Sequence, residues 1–178
     1  MKMLRGPEEV NPNKPDKEGR TPLSYEAKND DGCITVEGVM KILPRREEVS
    51  SAKPDNDGRT PLWHAAEIEH EGAVKMLLGR EEVNSDKPDT NGRTPLLHAA
   101  GTVFEGMVKR LLGRKAVDHD KADNDGRRPL SHAAGCREGR YFPDRVEGVV
   151  KVLLGRGEVN SDKPDNECRT PLSHAAEA

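Results

Sequence analysis

A chain of 178 residues that is 33% hydrophobic, 3% aromatic and 34% charged carries too few large apolar side chains to fill a single globular core of that length. Its 29 basic and 32 acidic residues are intermixed and leave a net charge of -3, which argues against nucleic acid or an acidic membrane as partner. No apolar run approaches the roughly 18 residues of a membrane span. No apolar signal stretch opens the chain. The three cysteines (Cys33, Cys136 and Cys168) are odd in number and scattered, so an intracellular, cytoplasmic setting is expected.

In chain order the dominant signal is recurrence. Gly-Arg-Thr-Pro-Leu stands at 19–23, 58–62 and 92–96, and returns with one change each at 126–130 (Arg128 for Thr) and 168–172 (Cys168 for Gly). The prolines Pro22, Pro61, Pro95, Pro129 and Pro171 are 39, 34, 34 and 42 residues apart. Such a period means stacked supersecondary units, each needing only a narrow apolar seam against its neighbours. With valine as the starting mark, residues 1–9 align with the tail of a preceding unit. The repeats then run 10–48, 49–82, 83–116 and 117–158, with a partial fifth over 159–178. The opening and the end both read as cuts within a longer array.

Each unit has the same parts. Pro54-Asp55-Asn56-Asp57-Gly58 is a turn signal. Thr60 has N-cap chemistry and Pro61 suits the first helical position. Leu62, Ala65 and Ala66 form a narrow face of mostly small residues. A second helix follows over Glu71–Leu78, with Glu71 and Lys75 four apart. Glu37/Lys41, Glu105/Lys109 and Glu147/Lys151 repeat that pair, either as a solvated outer face or as a charged ladder. The longer repeats place five extra residues near Lys28–Thr35 and eight near Cys136–Arg145, between their helices. Tyr141 and Phe142 either fold back on Val103 and Phe104 or form a second epitope. Arg128 in place of a capping threonine predicts a frayed helix start, at a cost of about 1 kcal/mol. The last helix is expected to be the least stable.

A turn, a short Thr-Pro-Leu helix with Ala-Ala and a second helix ending in Leu-Leu resembles the ankyrin repeat. The resemblance covers essentially the whole chain. It implies an all-α ankyrin repeat solenoid of about five stacked helix-turn-helix units with β-turn or hairpin fingers. The variant, with Leu-Leu-Gly-Arg-Glu-Glu after the second helix, is similar to fungal ankyrin arrays of NACHT- or NB-ARC-type multidomain proteins. Two departures stand out. Histidine comes one place later than in the family pattern, at His64, His98, His132 and His174, with Tyr25 in the first repeat. The family's Gly-His between the helices is replaced by Glu69-His70 and Val103-Phe104.

Catalysis finds no support. Equivalent histidines on stacked helices lie roughly 8–10 Å apart, too far to share a zinc ion that holds its ligands at about 2 Å. His70-Glu71 begins like a zinc-protease motif, but Val74 stands where the second histidine would be. No phosphate-binding loop occurs, and Ser-His neighbours in sequence point apart on a helix. No catalytic residue, metal or cofactor is expected.

Recognition of another protein remains. The family resemblance implies contact along the finger turns and the concave face of the first helices. The candidates are Asn56, Asp57, Arg59, Trp63 and Ile68; Thr90, Asn91, Arg93 and Thr102; and Asn124, Asp125 and Arg127. The recurring arginines are either guanidinium forks for acidic groups or one half of an Asp–Arg ladder that neutralises itself between repeats. Trp63 is either an anchor or a residue buried between repeats. The alternative function is a structural spacer with no dedicated ligand, able to self-associate end to end through uncapped ends.

Overall fold

The computed structural model describes residues 11–28, 49–136, 143–157 and 159–177. Within them lie eight helices: α1 (Pro22–Lys28), α2 (Pro61–Glu67), α3 (Glu71–Leu78), α4 (Pro95–Gly101), α5 (Glu105–Leu112), α6 (Pro129–Ala134), α7 (Pro143–Leu154) and α8 (Pro171–Glu177). The expected opening tail, the expected second helix of the first repeat with Glu37 and Lys41, Cys33, and Tyr141 and Phe142 lie outside the described residues.

The first helices start where capping chemistry dictates. Oγ of Thr60 accepts from the Trp63 amide at 3.2 Å, and Thr94 does the same for Leu97. Thr21 and Thr170 cap through the amides of Ser24 and Ser173. Proline then occupies a position whose N–H would have had no intrahelical partner. At α6 the capping bond is missing, as Arg128 in place of threonine predicts, and the helix begins at Pro129. The Arg128 side chain instead reaches the carbonyls of Gly126 and Pro164 and lies 3.4 Å from Asp120, tying adjacent turns together.

The second helices begin less conventionally. Glu69 and Val103, in the place of the family's glycine, have φ of 57° and 53°. That is the left-handed region in which side chains other than glycine are strained. His70 then caps α3 by accepting from the Ala73 amide at 3.3 Å. Helix α7 starts at Pro143, so Pro143, Asp144 and Arg145 are helical rather than part of the expected inter-helix insertion. Proline at the first position and aspartate in the first turn favour that earlier start.

Helices α1, α2, α4, α6 and α8 pack one on the next, and α3, α5 and α7 back the first helices of their own repeats. The seam is built from Leu62, Ala65 and Ala66, from Leu96, Ala99 and Ala100, and from Val74, Leu77, Val108 and Leu111. Alanines at the contact let the short helices approach closely, which is how a chain so poor in aromatics still closes a core. Among the described residues no helix is long and apolar enough to cross a membrane.

The fingers are turns, and no strand occurs among the described residues, so the hairpin expectation is corrected. Neighbouring fingers exchange one backbone bond apiece: Asn56 N–H to Glu18 O, Thr90 N–H to Asp57 O, Asn124 N–H to Asn91 O, and Asn166 N–H to Asp125 O. One bond per junction does not make a ladder. Gly19, Gly92 and Gly126 are doubly constrained. Their φ is 78–80°, and a Cβ would come within 2.5 Å of Oδ1 of Asn56, Asn124 or Asn166.

Candidate functional site

Each finger is organised by an aspartate whose two oxygens do different work. In the second repeat, Oδ1 of Asp55 accepts from the amides of Asp57 and Arg59 at 3.0 and 2.9 Å. Oδ2 is bonded to Nε2 of His64, nine residues on, at 2.9 Å. Asp123 and His132 repeat the contact at 2.8 Å, and Asp165 and His174 at 2.9 Å. In the first repeat the Tyr25 hydroxyl donates to Oδ2 of Asp16. The displaced histidines therefore lock the finger to the first helix. Burial pushes the Asp165 carboxyl up, but hydrogen bonds from the Arg169 amide, His174 and the Glu167 amide outweigh it and hold the group at about 2.

The third repeat breaks this rule. The His98 ring lies 4.5 Å from the Trp63 ring, and its Nε2 is buried without a hydrogen-bond partner. The Arg59 guanidinium lies over the Trp63 ring, 4.4 Å from its centroid. Burial holds His98 below the ordinary imidazole range; Glu67 pulls upward, while Arg93, Arg59 and His132 press the same way as burial.

The arginines show a parallel exception. Arg20 pairs with Asp16 and Glu18, Arg59 with Asp57, Arg127 with Asp123 and Asp125, and Arg169 with Asp165 and Glu167. The Asp–Arg neutralisation is thus within each finger, not between repeats. Arg93 has no ion pair among the described residues, and its Nε is buried without a partner. The residue two before it is Asn91, where the other fingers carry Glu18, Asp57, Asp125 and Glu167.

Arg93 and His98 both line one cleft of about 260 Å³, together with Gly101, Thr102, Arg127 and His132 among others. Two larger grooves lie elsewhere, between the ends of successive second helices. The small cleft is the candidate site because it joins a guanidinium with no ion pair among the described residues to an imidazole whose Nε2 has no hydrogen-bond partner.

The remaining expected contact residues divide by position. Asp57, Asn91 and Asp125 stand exposed on the fingers. The amides of Asn56 and Asn124 donate to the Lys17 and Thr90 carbonyls, so those side chains join fingers to one another. Thr90 is exposed and has no such amide to offer. Ile68 and Thr102 end their helices half-buried, and the Thr102 hydroxyl bonds back to the His98 carbonyl at 3.0 Å. Trp63 is 2% exposed, which removes it as an exposed anchor and makes it a packing residue between repeats. His98 was legible only as one of a row; its exceptional state follows from Trp63 in the preceding repeat.

Among the described residues no group of three or more histidine, cysteine or acidic side chains is placed to hold a metal ion. A family model for ankyrin repeats in three copies matches residues 1–87 and again 68–142. A search of curated proteins found no match. With stacked helix pairs, capped Thr-Pro starts and turn fingers in register with that match, the chain belongs to the ankyrin repeat family.

Proposed function

We propose that this chain is the recognition arm of a larger protein and holds a protein partner along the fingers and the adjoining face of the first helices. Ankyrin repeats serve generally as non-catalytic, protein-binding scaffolds. The observation that supports this particular surface is the break in the finger pattern at Asn91, Arg93 and His98. At the other described fingers the arginine faces an acid of its own finger, whereas Arg93 has no such pair and is left with binding capacity to spare. Thr90 in place of asparagine marks the same repeat as different from its neighbours.

The test is capture of a partner from extract by wild-type protein and by the Arg59→Glu/Arg93→Glu variant, with Lys109→Glu on the outer helix face as control. Loss with the finger variant alone, at unchanged helical signal, supports the surface. Equal loss with Lys109→Glu, or no loss at all, removes it. A second reading, a self-associating spacer, draws on Leu172 of α8, which is 80% exposed. Sedimentation across a concentration series separates the two. Dimerisation abolished by Leu172→Ser favours the spacer, and a monomer throughout favours recognition.

A further inference from the structure

The seventh position of the first helix explains what the cleft lacks. In the second repeat it is Glu67, whose Oε2 lies 3.5 Å from Nδ1 of His64 and 3.4 Å from the Lys28 ammonium. In the fifth it is Glu177, 3.6 Å from Nη1 of Arg169. At this position the chain itself twice sets a carboxylate against the histidine or arginine of the same repeat. In the third repeat the position is Gly101, which supplies nothing. The fourth repeat also has glycine there, Gly135, but a Cβ on it would sit 3.2 Å from Cβ of His174, so that space is already taken. Its arginine and histidine are moreover both paired.

Three independent departures therefore converge on one place. Asn91 withholds the second finger acid from Arg93, whose amide but not guanidinium is met by Asp89; Trp63 holds His98 by its ring, and Gly101 withholds the helix-end acid. We propose that the cleft at Arg93, His98 and Gly101 receives a single carboxylate, the side chain of an aspartate or glutamate on the partner protein, in the place that Glu67 fills in the preceding repeat. This rests on the scaffold reading and names the chemistry of its central contact. A volume of about 260 Å³ admits one acidic side chain, not a folded element. One unpaired guanidinium matches one negative charge, since Arg127 already faces two acids. With Nε2 buried and no aspartate holding a proton there, the imidazole can offer its N–H to the cleft only from Nδ1. Thr102 also lines the cleft, its hydroxyl bonded back to the His98 carbonyl. A phosphate dianion would need a second free cation, and the cleft has none.

The probes are three Gly-Ser peptides that differ in one central residue: glutamate, glutamine or phosphoserine. Each is titrated into the full chain while the arginine Nε–H and histidine ring signals are followed by NMR. The glutamate peptide is expected to shift Arg93 and His98 saturably, and the glutamine peptide is expected not to. Asn91→Asp copies other fingers and Gly101→Glu copies Glu67. A Cβ at Gly101 would meet the His132 ring at 3.5 Å, an ordinary contact, so the first atom of the new side chain has room. Each variant should retain its melting midpoint and bind the glutamate peptide about tenfold more weakly, the loss of a charge-assisted pair. Equal binding of the glutamine peptide, undiminished binding by both variants, or tighter binding of the phosphoserine peptide would each overturn the proposal. Saturable shifts on the fingers but outside the cleft would also overturn it while leaving the scaffold reading standing. Partner capture that ignores Arg59→Glu/Arg93→Glu would instead remove the finger surface as the place of binding, and absence of any captured partner would remove the scaffold reading.

Discussion

At the residue scale, three backbones are held where glycine would be relaxed. Cys168 has φ 63° at the finger position that Gly19, Gly58, Gly92 and Gly126 fill elsewhere, and Glu69 and Val103 are left-handed at the inter-helix turn. Cys168→Gly and Glu69→Gly should each raise stability by about 0.5–1 kcal/mol, strain relief less the added freedom of the unfolded chain. Urea denaturation checks this, and a fall in the midpoint would contradict it. Val103→Gly should instead destabilise, because Val103 is 1% exposed and its packing outweighs the strain. Asp165 sets a pH limit. Asp165 is held at about 2 against an ordinary value near 3.9, so its contribution is full above pH ~4 and is lost as the pH falls through ~2. Circular dichroism should show wild type losing structure across that window, and Asp165→Asn should flatten this part of the profile.

At the scale of elements, Thr-Pro starts, turn fingers and the alternation of first and second helices were legible, because capping and positive-φ requirements are local. The Asp-to-His pairing was visible only as two separate rows. Its signal was the constant spacing of nine residues between Asp55 and His64, Asp123 and His132, and Asp165 and His174. The missing cap at Arg128 was legible because a cap is local, whereas its bond to the Pro164 carbonyl was not, because it reaches the next finger. Thr94→Ala should therefore cost about 1 kcal/mol. Arg128→Thr should gain less than a cap is worth, since the Pro164 carbonyl and Asp120 lose their partner. Helix α8 packs on α6 and leaves Leu172, Ala175 and Ala176 exposed. Its amides should exchange faster than those of α2 and α4, measured by native-state hydrogen exchange. Slower exchange there would contradict the packing.

At the scale of the whole molecule, repetition is the reason function is hard to read. Near-identical fingers neutralise themselves, and information sits where the pattern fails. Exposure could not be decided from sequence: Trp63 had equal claims as anchor and as filler until the neighbouring His98 was seen against it. The Arg93–His98 cleft was likewise illegible, because it depends on what residues 63, 91 and 101 together do not supply. Stability should be spread along the stack, so Leu96→Ala in the central repeat should cost about 2–5 kcal/mol. The most direct measurement of the central claim is the affinity of the full chain for its captured partner with and without Asn91→Asp, which returns to Arg93 the acid that the other fingers carry. An affinity about tenfold weaker at an unchanged melting midpoint is the expected result. Unchanged affinity would show that the unpaired Arg93 is not where the partner is held.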